Sequence, residues 1–317
     1  MRQKIVLSGF VLCLGLTGLV GCERSPNIAP NETPTTETVD EGEKQGDRLE
    51  IVVGILPQQY FAEKIGGDRI HVGVMVAAGS EPEAYEPKPQ QFQEISQADA
   101  YIGVGGIFEE VWGERLKTAN PQLLIVDGSA GITKIPMEEH DHGHDHGGEA
   151  AHGDEYLDPH TWLSPKLAKI HAQNIYQTLV KLDPASEAFY AANLATLLTE
   201  IDQLDQAIAA KLANLKSRNM LVFHPSWGYF AKDYNLKQIP IEVGGQEPSA
   251  AELANLITLA KAENIRMIFA QYQFNAQAAK AIANEIGAEV IYLDPLAADW
   301  STNLLDMATQ IAAANQN

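Results

Sequence analysis

Two acidic residues and two histidines in this sequence could together bind a divalent metal ion. They are Glu83, His160, His224 and Asp294. Imidazole nitrogens combined with carboxylate oxygens form a site of borderline to hard character, which suits Zn²⁺ and also Mn²⁺ or Fe²⁺. Four protein ligands fill a tetrahedron and leave no open position for an activated water molecule. The set therefore favours metal binding over catalysis.

His160 lies in the stretch 158–165, which reads DPHTWLSP. Pro159 has a fixed backbone angle and pushes the residue before it towards an extended conformation. Ser164 followed by Pro165 is typical of a helix N-cap and the first helical residue. The pattern predicts that His160 is held on a short, stiff connection just before a helix.

Apolar segments alternate with helical patterns on both sides of a long helical region. The predicted strands are 49–56, 70–76, 100–104 and 123–126, then 220–223, 238–243, 266–270 and 289–293. This alternation is typical of βα units that form a parallel sheet. The predicted fold class is α/β, with two similar lobes joined by a long rigid helix. Each lobe is expected to be a mostly parallel four-stranded sheet with flanking helices.

The four candidate ligands all follow predicted strands. Glu83 is in the loop after the second strand and His160 in the loop after the fourth, whereas His224 and Asp294 directly follow the fifth and the eighth. Ligands of open α/β sheets bind beyond the carboxyl ends of the strands. Because each lobe supplies two of these residues, a cleft between the lobes could collect all four.

A long helix is predicted over 184–216, within a helical linker of residues 166–218. Its apolar residues recur at spacings of three and four and form one stripe: Leu194, Leu197, Leu198, Ile201, Leu204, Ile208, Leu212 and Leu215. At the usual helical rise it would be roughly 45–50 Å long, which exceeds one small domain. We therefore predict that it runs along both lobes, 49–165 and 219–317. A coiled-coil partner helix is the alternative.

Segment 138–155 interrupts the alternation and has no core-forming residue beyond alanine. It combines acidic residues and glycines with five histidines, His140, His142, His144, His146 and His152. A structureless loop of this length inside a compact domain is usually functional or disordered. Because no packing fixes the geometry of its imidazoles, we predict an auxiliary loop that binds metal weakly and at several points.

Residues 1–22 have the pattern of a targeting segment, with a basic start followed by an apolar run. The run ends in the box 19–22, LVGC, which resembles the bacterial lipoprotein signal in which the cysteine becomes the lipid-bearing first residue. We therefore predict a signal peptide over 1–22 and lipidation of Cys22. The protein is expected to be periplasmic or at the cell surface, anchored by lipid to a bacterial membrane.

The 317-residue chain is strongly acidic, with a formal net charge of −20. This charge argues against nucleic acid as a partner, because phosphate contacts need a basic surface. Segment 23–48 is polar and poor in large apolar residues, and we predict a flexible tether. The only cysteines are Cys13, within the signal, and Cys22. The mature chain would then have no disulfide, and a metal site must use histidine and carboxylate ligands.

Three segments in order resemble the signatures of solute-binding proteins of zinc and manganese ABC importers. They are 158–165 (DPHTWLSP), 223–230 (FHPSWGYF) and 242–249 (EVGGQEPS). The resemblance covers about residues 49–317. It implies two α/β lobes joined by a rigid helix, a metal ion between them, and the membrane permease of an importer as partner. We expect a monomer.

The resemblance also implies ligands. His160 and His224 match ligand positions of the family, and Asp294 matches its C-terminal carboxylate. The first family ligand is usually a histidine in a Pro-His-x-Tyr-Glu-Pro segment. Here residues 82–87 read PEAYEP, so Glu83 stands where that histidine would be. The histidine-rich loop resembles that of the zinc branch of the family, and we therefore favour Zn²⁺ as the cargo.

Three alternatives stay open at this point. A manganese or iron receptor of the same fold is favoured by Glu83 and opposed by the histidine-rich loop. A metallohydrolase would use Glu83 as a base over a metal held by His160, His224 and Asp294. A metal buffer or chaperone would bind mainly through 138–155. We predict a receptor that is not an enzyme and that delivers captured Zn²⁺ to an ABC importer.

Overall fold

The computed structural model describes residues 48–137, 157–242 and 245–314. The predicted signal peptide, the tether 23–48, Cys22 and the histidine-rich loop 138–155 lie outside these residues. The predictions made for them stay predictions.

The first lobe is built on a parallel sheet with the strand order β2-β1-β3-β4. Its strands are β1 (Leu49–Val53), β2 (Ile70–Val74), β3 (Ala100–Gly103) and β4 (Leu124–Asp127). Its helices are α1 (Leu56–Gly66), α2 (Pro89–Gln97) and α3 (Ile107–Ala119). The predicted first strand, 49–56, ends early because Pro57 occupies the first turn of α1, a position that proline favours.

Two helices follow the first lobe, α4 (Pro165–Leu182) and α5 (Glu187–Leu212). The hydroxyl of Ser164 accepts a hydrogen bond from the Leu167 N–H and caps α4, as the sequence predicted. Helix α5 has 26 residues, so it is shorter than the predicted 184–216. At its start Pro184–Ser186 form a 3₁₀ turn. At its end the Arg218 guanidinium donates to the Ala213 carbonyl and satisfies a free helix terminus.

The second lobe repeats the topology of the first, with the strand order β6-β5-β7-β8, again all parallel. Its strands are β5 (Asn219–Val222), β6 (Lys237–Pro240), β7 (Met267–Gln271) and β8 (Glu289–Leu293). Its helices are α6 (Gly228–Asp233), α7 (Ala250–Ala262), α8 (Gln277–Ile286) and α9 (Trp300–Ala314). The predicted fold class is confirmed: two similar α/β lobes with a long helix between their sheets.

Helix α5 packs against α1, α4 and α9. Its buried side chains recur every three or four residues from Leu197 to Leu212, as the apolar stripe predicted. One buried apolar cluster contains residues of both sheets together with α4, α5 and α9. Phe61 of α1 meets Trp300 of α9 edge to face, with ring centroids 4.9 Å apart. The lobes therefore share a core.

Smaller apolar clusters lie under the outer helices of each lobe. Within the described residues, no helix is both long and apolar enough to cross a bilayer.

Candidate metal centre

Three of the four predicted ligands converge where the lobes meet. Glu83, His160 and His224 each offer one ligand atom, and these atoms lie within 4.8 Å of one another. Glu83 Oε1 is 3.4 Å from His160 Nε2. Glu83 follows β2, His160 follows β4 and His224 follows β5, so the carboxyl ends of strands from both lobes build the cluster.

His160 is oriented by the carboxylate two residues before it. Asp158 Oδ1 accepts hydrogen bonds from the backbone N–H and from Nδ1 of His160, both at 2.8 Å. Both residues are buried. Because Nδ1 is engaged, the other ring nitrogen, Nε2, is the one turned towards Glu83.

His224 is held in the same way from the second lobe. Its Nδ1 is 2.7 Å from Glu242 Oε1, and Phe274 stacks on its ring with centroids 4.6 Å apart. The Gln271 side chain accepts from the His224 backbone N–H and donates to its carbonyl. His224 Nε2 is buried and has no hydrogen-bond partner among the described residues. An imidazole fixed in this way is preorganised for a metal ion.

The charges of the cluster depend on one another. Burial raises the pKa of Glu83, but the hydrogen bond and positive charge of His160, with the charge of His224, outweigh burial and lower this pKa to about 2. Burial lowers the pKa of His160, but the hydrogen bonds to Asp158 and Glu83 and their negative charges raise it to about 10. Without a metal ion the site therefore holds a carboxylate beside an imidazolium.

Asp294 lies directly after β8, as predicted, but outside the three-residue group. Its Oδ1 accepts hydrogen bonds from Gln273 Nε2 at 2.8 Å and from the Leu296 N–H at 2.9 Å. The neighbouring residues Pro295 and Leu296 line the cavity at the site. Asp294 as a ligand stays a prediction.

A cavity of about 250 Å³, which includes space open to solvent, lies over the three converging ligands. Its wall contains a second acidic residue from the same loop as Glu83, namely Glu81, and the amide side chain of Gln273. Burial, and next to it the charge of Glu83, raises the pKa of Glu81. Sequence reasoning missed both residues. The alternation of two glutamates around Pro82 was the available signal for Glu81.

Sequence reasoning also missed the orienting roles of Asp158 and Glu242. Asp158 is the first residue of the segment 158–165, and Glu242 is the first residue of the segment 242–249. Asp158 could have been found from its spacing of two residues to His160. Glu242 is 18 residues from His224 and reaches it only because β5 and β6 are neighbours in the sheet.

The His160 loop is fastened to the second lobe by hydrogen bonds. The Trp162 indole donates to the Pro295 carbonyl, and the Trp300 indole donates to the Trp162 carbonyl, both at 2.8 Å. The Tyr229 hydroxyl donates to the Asp158 carbonyl at 2.8 Å. A ligand loop of the first lobe is therefore positioned by residues of the second.

The five histidines of the 138–155 loop lie outside the described residues, but the chain on either side of them is described. Pro136 and Leu157 form an isolated antiparallel bridge, and the Asp158 N–H donates to the Ile135 carbonyl at 2.8 Å. The Ile135 N–H donates to the Tyr229 hydroxyl. The two ends of the loop are thus joined immediately beside the His160 turn.

Two further histidines lie away from the centre. His71 is exposed on β2, with Nδ1 2.8 Å from Glu50. His171 is fully buried in α4, and its Nε2 is 2.7 Å from the Thr161 hydroxyl. Burial lowers the pKa of His171 to about 4, against the charge of Asp127. Through its contact with the Thr161 hydroxyl, His171 supports the turn that follows His160.

Each α/β lobe has a parallel sheet, and the two lobes share a core. With a glutamate and two oriented histidines between them, they define a two-lobed metal-binding receptor. The family model described as "Zinc-uptake complex component A periplasmic" matches residues 51–314. The chain belongs to this family. It is a solute-binding component of a zinc-uptake ABC transporter, located outside the cytoplasmic membrane, and not an enzyme.

Relatives and solved structures agree with this family. The chain is 32% identical over 267 residues to the high-affinity zinc uptake system protein ZnuA of Bacillus subtilis, and the match covers 82% of each chain. It is 30% identical to the zinc-binding lipoprotein AdcA of Streptococcus pneumoniae R6, of which the match spans about half, 51%. A crystal structure of ZnuA superposes with a TM-score of 0.79 at 49% identity, covering 85% of this chain and 100% of that one.

Proposed function

We propose that this protein captures Zn²⁺ between its lobes and delivers it to the permease of an ABC importer. The observation that carries the proposal is the convergence of Glu83, His160 and His224, with ligand atoms within 4.8 Å of one another. The buried, partnerless Nε2 of His224 supports it, because a buried ring nitrogen without a partner is costly unless something binds there.

In this proposal Glu83, His160 and His224 ligate the metal directly, the histidines through Nε2. Asp294 is the predicted fourth ligand, carried by the loop after β8. Asp158 and Glu242 hold the two imidazoles in the ligating orientation and make them more basic. Closed tetrahedral coordination, without a reactive water molecule, suits a cargo that is carried and released.

Zn²⁺ is the proposed cargo in preference to Mn²⁺ or Fe²⁺. Two imidazole nitrogens with carboxylate oxygens suit zinc, although the carboxylate of Glu83 makes the site harder than three histidines would. The names of two relatives, the high-affinity zinc uptake system protein ZnuA of B. subtilis and the zinc-binding lipoprotein AdcA of S. pneumoniae, specify zinc. A manganese or iron receptor is the second candidate, and Glu83 is the residue that favours it.

The histidine-rich loop 138–155 is proposed to collect zinc weakly rather than to form the tight site. A crystal structure of a ZnuA deletion mutant with zinc bound superposes with a TM-score of 0.78 at 48% identity, which supports a zinc site that persists in a shortened relative. If the loop were instead the main site of a metal buffer, its deletion would abolish tight binding.

The remaining parts of the proposal concern the membrane. Cys22 would carry the lipid anchor as the first residue after cleavage of the signal peptide, with 23–48 as the tether to the lobes. The description of the S. pneumoniae AdcA relative as a lipoprotein supports this part. The unit limits 49–165, 166–218 and 219–317, and the monomeric state, stay predictions.

The direct test is elemental analysis of protein purified without added metal, together with zinc titrations of His160→Ala and His224→Ala. We expect one tightly bound zinc per wild-type chain and its loss in both variants. His71→Ala is the matched control, because this exposed histidine also pairs with a carboxylate but lies outside the site. Unchanged zinc binding in both site variants, or manganese as the metal found, would overturn the proposal.

A further inference from the structure

Glu81 lies in the wall of the same cavity as the three converging ligands. The cavity is lined by Glu81, Pro82, Glu83, His160 and His224, among others. Glu81 is half-buried, and its carboxylate makes no hydrogen bond or ion pair with any described residue. A carboxylate drawn partly out of water without a partner loses hydration that nothing in the protein replaces.

A second observation is that two buried polar atoms of the residues lining this cavity have no hydrogen-bond partner among the described residues. His224 is 95% buried, its Nδ1 is held by Glu242, and its Nε2 has no hydrogen-bond partner in the described part of the chain. Gln273, in the same wall, also has a buried side-chain oxygen to which no described residue donates a hydrogen bond. Buried polar atoms are nearly always hydrogen-bonded or bound to an ion. Two such atoms in one cavity point to a cation held between them and the carboxylates.

Three ligands do not complete a structural zinc site, which is almost always four-coordinate. Two carboxylates compete for the fourth position, Asp294 and Glu81. Asp294 Oδ1 already accepts two hydrogen bonds, from Gln273 and Leu296, and Asp294 is not among the residues that line the cavity. Glu81 also lies outside the three-residue group, but it lines the cavity and accepts no hydrogen bond from the described residues.

We propose that Glu81 is a metal-ligating residue, so that the loop after β2 binds the cargo with two carboxylates, Glu81 and Glu83, on either side of Pro82. Pro82 limits the backbone freedom between the two glutamates and so lowers the entropy lost when both are held by one ion. The two carboxylates neutralise a divalent cation while the histidines stay neutral. This inference rests on the proposed function and assigns a further ligand to the same site.

The first test compares Glu81→Gln with Glu86→Gln and Asp294→Asn. Glu86 is the matched control, because it is an exposed acidic residue of the same loop. Zinc affinity is measured by competition with a chelator of known affinity, and Co²⁺ absorption reports the coordination geometry. We expect Glu81→Gln to weaken zinc binding by at least about tenfold, which is the low end of the losses in affinity seen around metal sites. The Co²⁺ spectrum should also change. Glu86→Gln should match the wild type.

The second test does not depend on a variant that folds. In a crystal structure of the zinc-loaded wild-type protein, anomalous scattering at the zinc edge locates the ion. A Glu81 oxygen at about 2.0–2.2 Å from zinc would support the inference. Zinc bound by Asp294 without Glu81, or wild-type affinity and spectrum in Glu81→Gln, would overturn it. If the Glu81 inference fails in this way, loss of zinc binding in His160→Ala and His224→Ala would still support the proposed function.

Discussion

The imidazole rings of His160 and His224 lie edge to face, with centroids 5.2 Å apart and planes at 70°. His160 is carried by the turn before α4, and His224 lies two residues after the end of β5. Each has its Nδ1 engaged by a buried carboxylate oxygen, from Asp158 and Glu242. The structure therefore presents two imidazoles whose Nε2 atoms are oriented before a metal ion arrives.

The two orienting carboxylates should matter nearly as much as the ligands. We expect Asp158→Asn and Glu242→Gln each to weaken zinc binding about 10–100-fold, since the imidazole loses basicity and orientation. Glu50→Gln is the matched control, because Glu50 pairs with the exposed His71. Chelator competition measures all three. Wild-type affinity in both site variants would show that the ligands need no orienting partner.

Zinc binding should release a proton from His160. The pKa of His160 is raised to about 10 by Asp158 and Glu83, so the metal-free site holds an imidazolium at neutral pH. A metal ligand must be neutral imidazole, and zinc affinity should therefore rise with pH through the neutral range. Calorimetry in buffers of different ionisation enthalpy measures the released proton. A binding enthalpy that is independent of the buffer would contradict this expectation.

Glu83 should set the choice of metal. Glu83→Ala should weaken both Zn²⁺ and Mn²⁺, because a ligand is lost. Glu83→His should strengthen Zn²⁺ relative to Mn²⁺, because imidazole is a softer donor than carboxylate. Parallel titrations of the two metals give the ratio of affinities. If Glu83→Ala binds both metals as tightly as the wild type, Glu83 is not a ligand.

His171 should make the fold sensitive to acid. Burial lowers its pKa to about 4 in the folded protein, whereas an unfolded chain has a value near 6.5. Between these values the unfolded chain binds more protons, so stability present above about pH 6.5 is lost as the pH falls towards 4. The loss amounts to about 3 kcal/mol at most.

Denaturant unfolding of His171→Gln across this pH range tests the assignment. The variant should lose less of its stability than the wild type between pH 6.5 and 4. His71→Gln is the control, since His71 is exposed. An equally steep acid loss in His171→Gln would assign the sensitivity to other groups.

Metal binding should move the lobes only slightly. Helix α5 is continuous over 26 residues, the lobes share a buried core, and Trp162 and Trp300 connect the His160 loop to the second lobe. Solution scattering should give nearly equal radii of gyration with and without zinc. The emission of Trp162 should still change, because its ring lies 5.2 Å from that of His160. A large compaction would refute the rigid arrangement.

Local sequence signals predicted most of the fold. Helix α4 begins at the predicted residue because Pro165 marks its first turn. His224 could be placed because it follows a short, wholly apolar strand. The residues that hydrogen-bond to the ligands could not be predicted from such local signals. Glu242 and Gln271 reach His224 across 18 and 47 residues, through strand neighbours that periodicity does not specify.

The same limit applies to the fourth ligand. Asp294 was placed at the end of β8 correctly, but position along a strand says nothing of the direction of a side chain. Its hydrogen bond from Gln273 spans 21 residues and depends on how the loops after β7 and β8 pack. Glu81 could not be predicted as a site residue for a related reason, because loop residues follow no periodic pattern.

The bridge between Pro136 and Leu157 joins the two ends of the histidine-rich segment, so His160 lies outside the closed loop. A loop closed at its base can lengthen at small entropic cost, about 0.6 kcal/mol for each doubling of its length. Insertions and deletions there need not disturb His160, which is fastened on the other side of the bridge. In the proposed function, the number of histidines in this loop can therefore differ between related proteins without changing the geometry of Glu83, His160 and His224.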